Sequence, residues 1–254
     1  MRVIVTRPAV QAAEWVAKLL ACGIDAVPLA LIGIAPALDV AVVVAAWESL
    51  HGKRLVVFVS PNAAEQFFAG RPSGMTWPAG VLAGSPGPGT TQTLQALGVP
   101  PADVIEPAAD ALQFDSESLW EQLTGRDWSG ASVLIVRGDS GREWLADTLR
   151  RRGARVDAVS AYRRCAPVFG CTERELLSAA IREPDSYLWF FSSSEAIDNL
   201  AAWVGSADAP WHQAHALATH PRIAERARQW GFKNVTEARP ALSSVVACIQ
   251  SIRS

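Results

Sequence analysis

Arg7 follows the apolar run "RVIVT", Arg137 closes "SVLIVR", and Arg142 opens the stretch "REWLADTLRRRG". A guanidinium at such a place presents a planar fork of donors that matches a carboxylate or a phosphate. The other reading of each arginine is a structural bond to the opposing loop. Ser60 precedes Pro61 in "SPNAAEQFF", the signature of a helix N-cap followed by proline in the first turn. Ser192, Ser193 and Ser194 open "SSSEAIDNLAAWV". Three serines exceed what one cap requires, so at least one is free to bind. A helix start also offers unpaired N–H groups and a partial positive charge. The chemistry these residues suit is recognition of anions.

Other chemistries find less support. His212, His215 and His220 lack an acidic or cysteine partner at ligand spacing, which argues against a metal site. Cys22, Cys165, Cys171 and Cys248 match no zinc pattern and no C-x-x-C pair. "GSPGPGT" is a glycine-rich turn without the lysine of a phosphate-binding loop, which weakens a nucleotide-dependent transferase. A net charge of −2 argues against a nucleic-acid binder that works by bulk positive field. Arginine dominates the cations, since Lys18, Lys53 and Lys233 are the lysines.

The elements that would hold these residues alternate in type. "RVIVT", "LVVFVS", "SVLIVR" and "YLWFFS" are apolar β-type runs, as expected of strands covered on both faces. Amphipathic helices intervene: Ala12, Trp15, Val16, Leu19 and Leu20 lie on one face, and Gly23 stands at the C-terminal end. This alternation predicts parallel α/β architecture. It also occurs twice. Arg7 and Arg137 stand 130 positions apart, as do Gly23 and Gly153, while Ser60 and Ser192 differ by 132 and Gly98 and Gly231 by 133. Nearly constant spacing over such a period indicates duplication of a whole domain. Ligands of open parallel sheets sit beyond the carboxyl ends of the strands, where "TRP", "RGDSG", "SPN" and "SSSE" fall. Trp15, Trp120 and Trp144 fall on helices and read as packing residues. Half the residues are hydrophobic and 19% are charged, the balance of a globular protein with a core. No apolar window approaches the ~18 residues of a membrane span, and "MRVIVTRP" reads as a first strand, not a leader. The expected compartment is the cytoplasm.

In order along the chain, "VTRP" with Gln11, "FVSPNAAEQF", "GPGTTQTLQALG", "FDSESLW", "LIVRGDSGREWLADTLRRRGARV" and "AYRR" resemble uroporphyrinogen-III synthases over nearly the whole length. The resemblance implies two flavodoxin-like parallel-sheet domains joined by two extended connectors. "PLALIGIAP" (Pro28 to Pro36) and "VSAYRRCAP" (Val159 to Pro167) match the connectors. The expected domains are 1–35 with 167–254, and 36–166. The implied reaction cyclises hydroxymethylbilane, a polycarboxylated linear tetrapyrrole. It loses water and inverts the terminal pyrrole (ring D) to give uroporphyrinogen III, with no cofactor. The implied protein is a monomer, with at most transient contact to the preceding enzyme of the pathway and none to nucleic acid or membrane.

Tyr162 matches the family tyrosine of the second connector and is the candidate general acid; the other reading is a hinge aromatic that orients substrate. Ser60, Pro61, Asn62 and Thr90 match family positions that line the binding face of the middle domain. Ser192, Ser193 and Ser194 hold the equivalent place in the other domain. The chain departs from the family at "ATHPRIAERA": many relatives carry glycine-proline-threonine where His220, Pro221 and Arg222 stand. A hydroxyl contact is lost there, and Arg222 can supply a charge instead. A catalytically inactive two-lobed binding or regulatory protein of the same fold is the alternative reading.

Overall fold

The computed structural model describes residues 1–139, 141–205 and 210–253. Ser140, within "RGDSG", lies outside the described residues. The chain forms β1 (Arg2–Val5), α1 (Ala9–Ala21), β2 (Ala26–Pro28), β3 (Gly33–Pro36), α2 (Ala41–Glu48), β4 (Leu55–Phe58) and α3 (Pro61–Ala69). Next come β5 (Leu82–Gly84), α4 (Pro88–Ala96), β6 (Val104–Ile105), α5 (Ser116–Leu123), β7 (Ser132–Gly138), α6 (Trp144–Arg151) and β8 (Arg155–Cys165). Then follow α7 (Cys171–Arg182), β9 (Tyr187–Phe191), α8 (Ser194–Val204), β10 (His215–Ala218), α9 (Pro221–Trp230), β11 (Asn234–Glu237) and α10 (Leu242–Arg253). Two compact units result, Met1–Gly33 with Cys165–Ser254, and Ile34–Arg164.

The first unit carries a sheet in the order β2-β1-β9-β10-β11, with each of these pairs parallel. Counted within the unit, this is the 2-1-3-4-5 order of the flavodoxin-like fold. The second unit carries β3-β8-β7-β4-β5-β6. With the edge strand β3 set aside, β8-β7-β4-β5-β6 is the same parallel arrangement entered at its third strand. The repeat in the sequence is therefore interleaved. The segments β1–α1–β2 and β7–α6–β8 are alike, and so are the longer runs from β4 to α5 and from β9 to α10. Each sheet takes the short segment from one half of the chain and the long run from the other.

Alternation along the strands explains the layers. In the second unit Val56, Phe58, Leu134 and Val136 face Trp47, Phe67 and Leu94 on one side of the sheet. Leu55, Val57, Val133 and Ile135 face Leu119, Leu123, Leu145 and Leu149 on the other. In the first unit Val3, Val5, Leu188 and Phe190 pack on Ala12, Leu19, Val245 and Ile249. The opposite face stacks Trp189 and Phe191, with Trp211 and Phe232 against them. The two helices after the first-type strand end alike. Gly23 (φ +73°) and Gly153 (φ +87°) take up the left-handed conformation that favours glycine. The next residues, Ile24 and Ala154, donate back to Leu19 O and Leu149 O.

The connector segments are extended, and they do not float free. Gly33–Pro36 is β3, and Val159 to Cys165 is the end of β8, its neighbour in the second sheet. Pairing as strands satisfies backbone groups that a bare linker would leave to water.

Candidate functional site

In the second unit the carboxyl ends of β4, β7 and β8 bring Ser60, Gly138 and Tyr162 together. Ser60 has extended backbone, and its Oγ accepts the Ala63 N–H at 3.2 Å, so it caps α3. The same Oγ lies 3.2 Å from the hydroxyl of Tyr162, with either oxygen able to donate. If Ser60 donates, the phenolic proton is free for a third group; if Tyr162 donates, it is spent on the cap. A β-bulge sets the tyrosine's aim. Arg137 pairs with Ser160, but Gly138 pairs with Tyr162, so one extra residue of β8 is accommodated there. A Cβ at Gly138 would meet Tyr162 Cζ at 3.1 Å and the hydroxyl oxygen at 3.4 Å. Only glycine lets the ring lie where it does. Tyr162 is 1% exposed, so a ligand oxygen reaches the hydroxyl only after the ring or the start of α3 shifts.

Pro61 opens α3 and is half-buried, and Asn62 is buried. Thr90 is buried in the first turn of α4, its N–H donating to Gly87 O. Its turn is propped from below: Ser85 Oγ donates to Gly87 O at 2.8 Å, and Thr91 donates to Glu106 at 2.7 Å. Arg137 and Arg142 both find carboxylates within the unit. Arg137 pairs with Glu143, the residue before α6, and Arg142 pairs with Glu117 of α5. Arg137 Nε is sealed from solvent without a partner, while Arg142 is exposed. Sequence reasoning missed Glu143, Glu117 and Gly138. Glu143 lies six residues from Arg137 across a turn without helical spacing, so no periodic signal marks it.

In the first unit the corresponding edge is differently equipped. Thr6 binds Phe190 O through both its N–H (3.2 Å) and its hydroxyl (2.8 Å), which fixes the end of β1 against β9. Arg7 follows. Its guanidinium carbon lies 4.8 Å from the ring centre of Trp15 and 5.6 Å from that of Phe190. Its Nε is sealed from solvent and unpartnered, and no carboxylate pairs with it among the described residues. Burial alone pushes its pKa down to about 10, with no nearby negative charge opposing the shift. Pro8 stands at the N-cap of α1 with no side chain to offer, and the first turn holds no acid. Ser193 is the N-cap of α8, yet its side chain accepts no N–H of that helix; Ser192, Ser193 and Ser194 are all half-buried. At α9 the cap is His220, whose Nδ1 accepts the Arg222 N–H at 3.1 Å, leaving the exposed Arg222 side chain outward. Trp144, expected as a packing residue, is 37% exposed because it begins its helix instead of lying within it. Among the described residues no cluster of three or more His, Cys, Asp or Glu could hold a metal ion, and no helix is long and apolar enough to cross a membrane.

Comparison with known proteins gives a consistent family. Residues 13–247 match the family model described as uroporphyrinogen-III synthase HemD. Proteins named uroporphyrinogen-III synthase from Escherichia coli (strain K12) and Salmonella typhimurium are each 30% identical over 129 residues, 48% of this chain and 50% of theirs. The chain thus spans about half the length of the curated relatives it matches. A mutant uroporphyrinogen III synthase from the extremely thermophilic bacterium Thermus thermophilus covers 100% of this chain and 99% of its own, with 16% identity and a TM-score of 0.59. The Helicobacter pylori uroporphyrinogen-III synthetase covers 100% of both chains with 14% identity and the same TM-score, 0.59. At these identities the likeness is one of fold.

Proposed function

The chain belongs to the uroporphyrinogen-III synthase family, and we propose that it performs the reaction of that name. The match over residues 13–247 carries this reading. Hydroxymethylbilane would lose its terminal hydroxyl as water and leave a cationic azafulvene. Attack by the substituted carbon of ring D on that cation gives a spiro intermediate. Fragmentation and reclosure then invert the ring, and the final aromatisation releases a proton. The substrate is electron-rich and expels its own leaving group, so the protein contributes chiefly by holding reacting carbons in the geometry that favours inversion. A general acid at the departing hydroxyl adds typically ~10²–10⁴-fold. Tyr162 is the proposed donor. Ser60 supports this role when it donates its own proton to the phenol and leaves the phenolic proton free.

Carboxylates of the substrate would be held at Arg7, at the helix starts around Ser60, Pro61, Asn62 and Thr90, at Ser192, Ser193 and Ser194, and at Arg222. Arg137 and Arg142, already paired with Glu143 and Glu117, serve instead to hold their loop. The functional domains proposed are 1–35 with 167–254, and 36–166, supported by compact units that break at 33/34 and 164/165. The proposed setting is a cytoplasmic monomer that makes at most transient contact with the enzyme supplying its unstable substrate. The test is a coupled assay: freshly made hydroxymethylbilane with and without the protein, no added metal or cofactor, and separation of the oxidised porphyrin isomers. Predominantly type III product is expected. Only type I product from active substrate would refute the reaction and favour an inactive binding protein.

A further inference from the structure

The molecule contains two copies of one strand–turn–helix phrase, and they treat their arginines oppositely. In β7–α6 the charge of Arg137 is met by Glu143 from its own turn. In β1–α1 the corresponding acid, Glu14, stands within α1, exposed and not paired with Arg7, and α1 has no acid in its first turn and no side-chain cap. Arg7 is nevertheless half-buried, lying over Trp15 and Phe190 with its Nε sealed and unpartnered. A desolvated cation without a counter-charge is costly, and protein interiors rarely leave one so. The aromatic faces repay part of that cost, since a cation over a ring is attracted by its electron cloud. They leave Nε without a hydrogen-bond acceptor.

We propose that Arg7, at the open N-terminus of α1, is a carboxylate-binding site of the first unit whose counter-charge is supplied by the ligand. The aromatic pair fixes the guanidinium plane, and Thr6, which donates two hydrogen bonds to Phe190 O, fixes the backbone behind it. The positive end of the α1 dipole adds attraction for the same anion. Identification of that anion as an acetate or propionate arm of the tetrapyrrole rests on the reaction proposed above. The anion preference itself rests on the geometry of this turn.

The test separates the two. In protein labelled with ¹⁵N-arginine, the Arg7 Nε–Hε signal is assigned by its loss in Arg7→Met. Propane-1,2,3-tricarboxylate is then titrated in at constant ionic strength. The expected result is a saturable shift of that signal, and a rise in melting temperature that is present in the unaltered protein, retained in Arg7→Lys and absent in Arg7→Met. No saturable shift, or an equal rise in Arg7→Met, would overturn the site. A saturable shift in a protein that yields only type I porphyrin would overturn the reaction and leave the site standing. Type III product without the shift would do the reverse.

Discussion

The turn after β1 and the turn after β7 begin from the same phrase and arrive at different electrostatics. Both end an apolar strand on arginine, and both close the following helix with a left-handed glycine, Gly23 or Gly153. The second copy delays its helix to Trp144 and uses the extra turn to bring Glu143 onto Arg137. The first starts its helix at Ala9, directly after Pro8, and leaves Arg7 over Trp15 and Phe190 with no carboxylate partner among the described residues. Similar backbone plans thus give one self-neutralised edge and one whose arginine has no carboxylate partner among the described residues. A second asymmetry matches it. The second unit couples a phenol to a helix cap through Tyr162 and Ser60, whereas Ser193 at the equivalent helix of the first unit makes no cap bond. The difference fits the division of labour proposed above, in which the second unit would supply a proton and the first would supply charge.

The largest expected effect is on the proton side. Tyr162→Phe keeps the ring and removes the hydroxyl, and kcat should fall by about 10²-fold with the type III isomer still the main product. A loss below about threefold would reduce Tyr162 to packing and remove half of the comparison. Gly138→Ala comes next. The added methyl would press on the phenol at 3.1 Å, displacing a hydroxyl whose position matters, and kcat should drop about tenfold with KM little changed. An unchanged kcat would show that the bulge does not set the tyrosine's aim.

Smaller effects concern stability. Ser60→Ala removes the side-chain acceptor for Ala63 N–H and should cost about 1 kcal/mol, read as a lowered unfolding midpoint; no change would mean that the cap is idle. Arg7→Met should melt no lower than the unaltered protein, because it replaces a half-buried charge that has no carboxylate partner among the described residues with an apolar chain. The pH dependence of that difference follows from the folded pKa of about 10, lowered by burial from the ordinary guanidinium range. Below both values Arg7 is charged folded or unfolded, so the difference should be flat from about pH 6 to 9. Above about pH 10 the folded protein can shed the proton while the unfolded chain keeps it, so the unaltered protein gains stability and the advantage of Arg7→Met should shrink. A difference that varies strongly near neutral pH would point to another group.

How much of this the sequence disclosed depends on how local each feature is. The four spaced landmarks revealed duplication because strand, arginine, helix and glycine are neighbours in the chain. The interleaving was not visible in them: periodicity says which segments are alike, not which sheet each joins, and β1 finds β9 across more than half the chain, Arg2 opposite Tyr187. The cap by Ser60 was legible because serine before proline has one local meaning. Burial of Thr90 and Tyr162 was not, since it depends on α4 and β8 being covered from elsewhere. Least legible was the contrast of the arginines. Whether a guanidinium has a partner is a property of its whole surroundings, and Glu143 and Glu117 reach theirs from a turn and from a separate helix.

The most direct test of the division of labour is a pair of substrate-saturation curves, for Arg7→Met and for Arg137→Met. KM for hydroxymethylbilane should rise about tenfold or more in Arg7→Met, the worth of a charged hydrogen bond, with kcat changed far less. Arg137→Met should instead leave KM within about twofold of the unaltered protein and lower the melting temperature only slightly, since Glu143 is half-exposed and keeps Arg150 at 3.8 Å. Equal rises in KM for the two variants, or a larger one in Arg137→Met, would contradict that division.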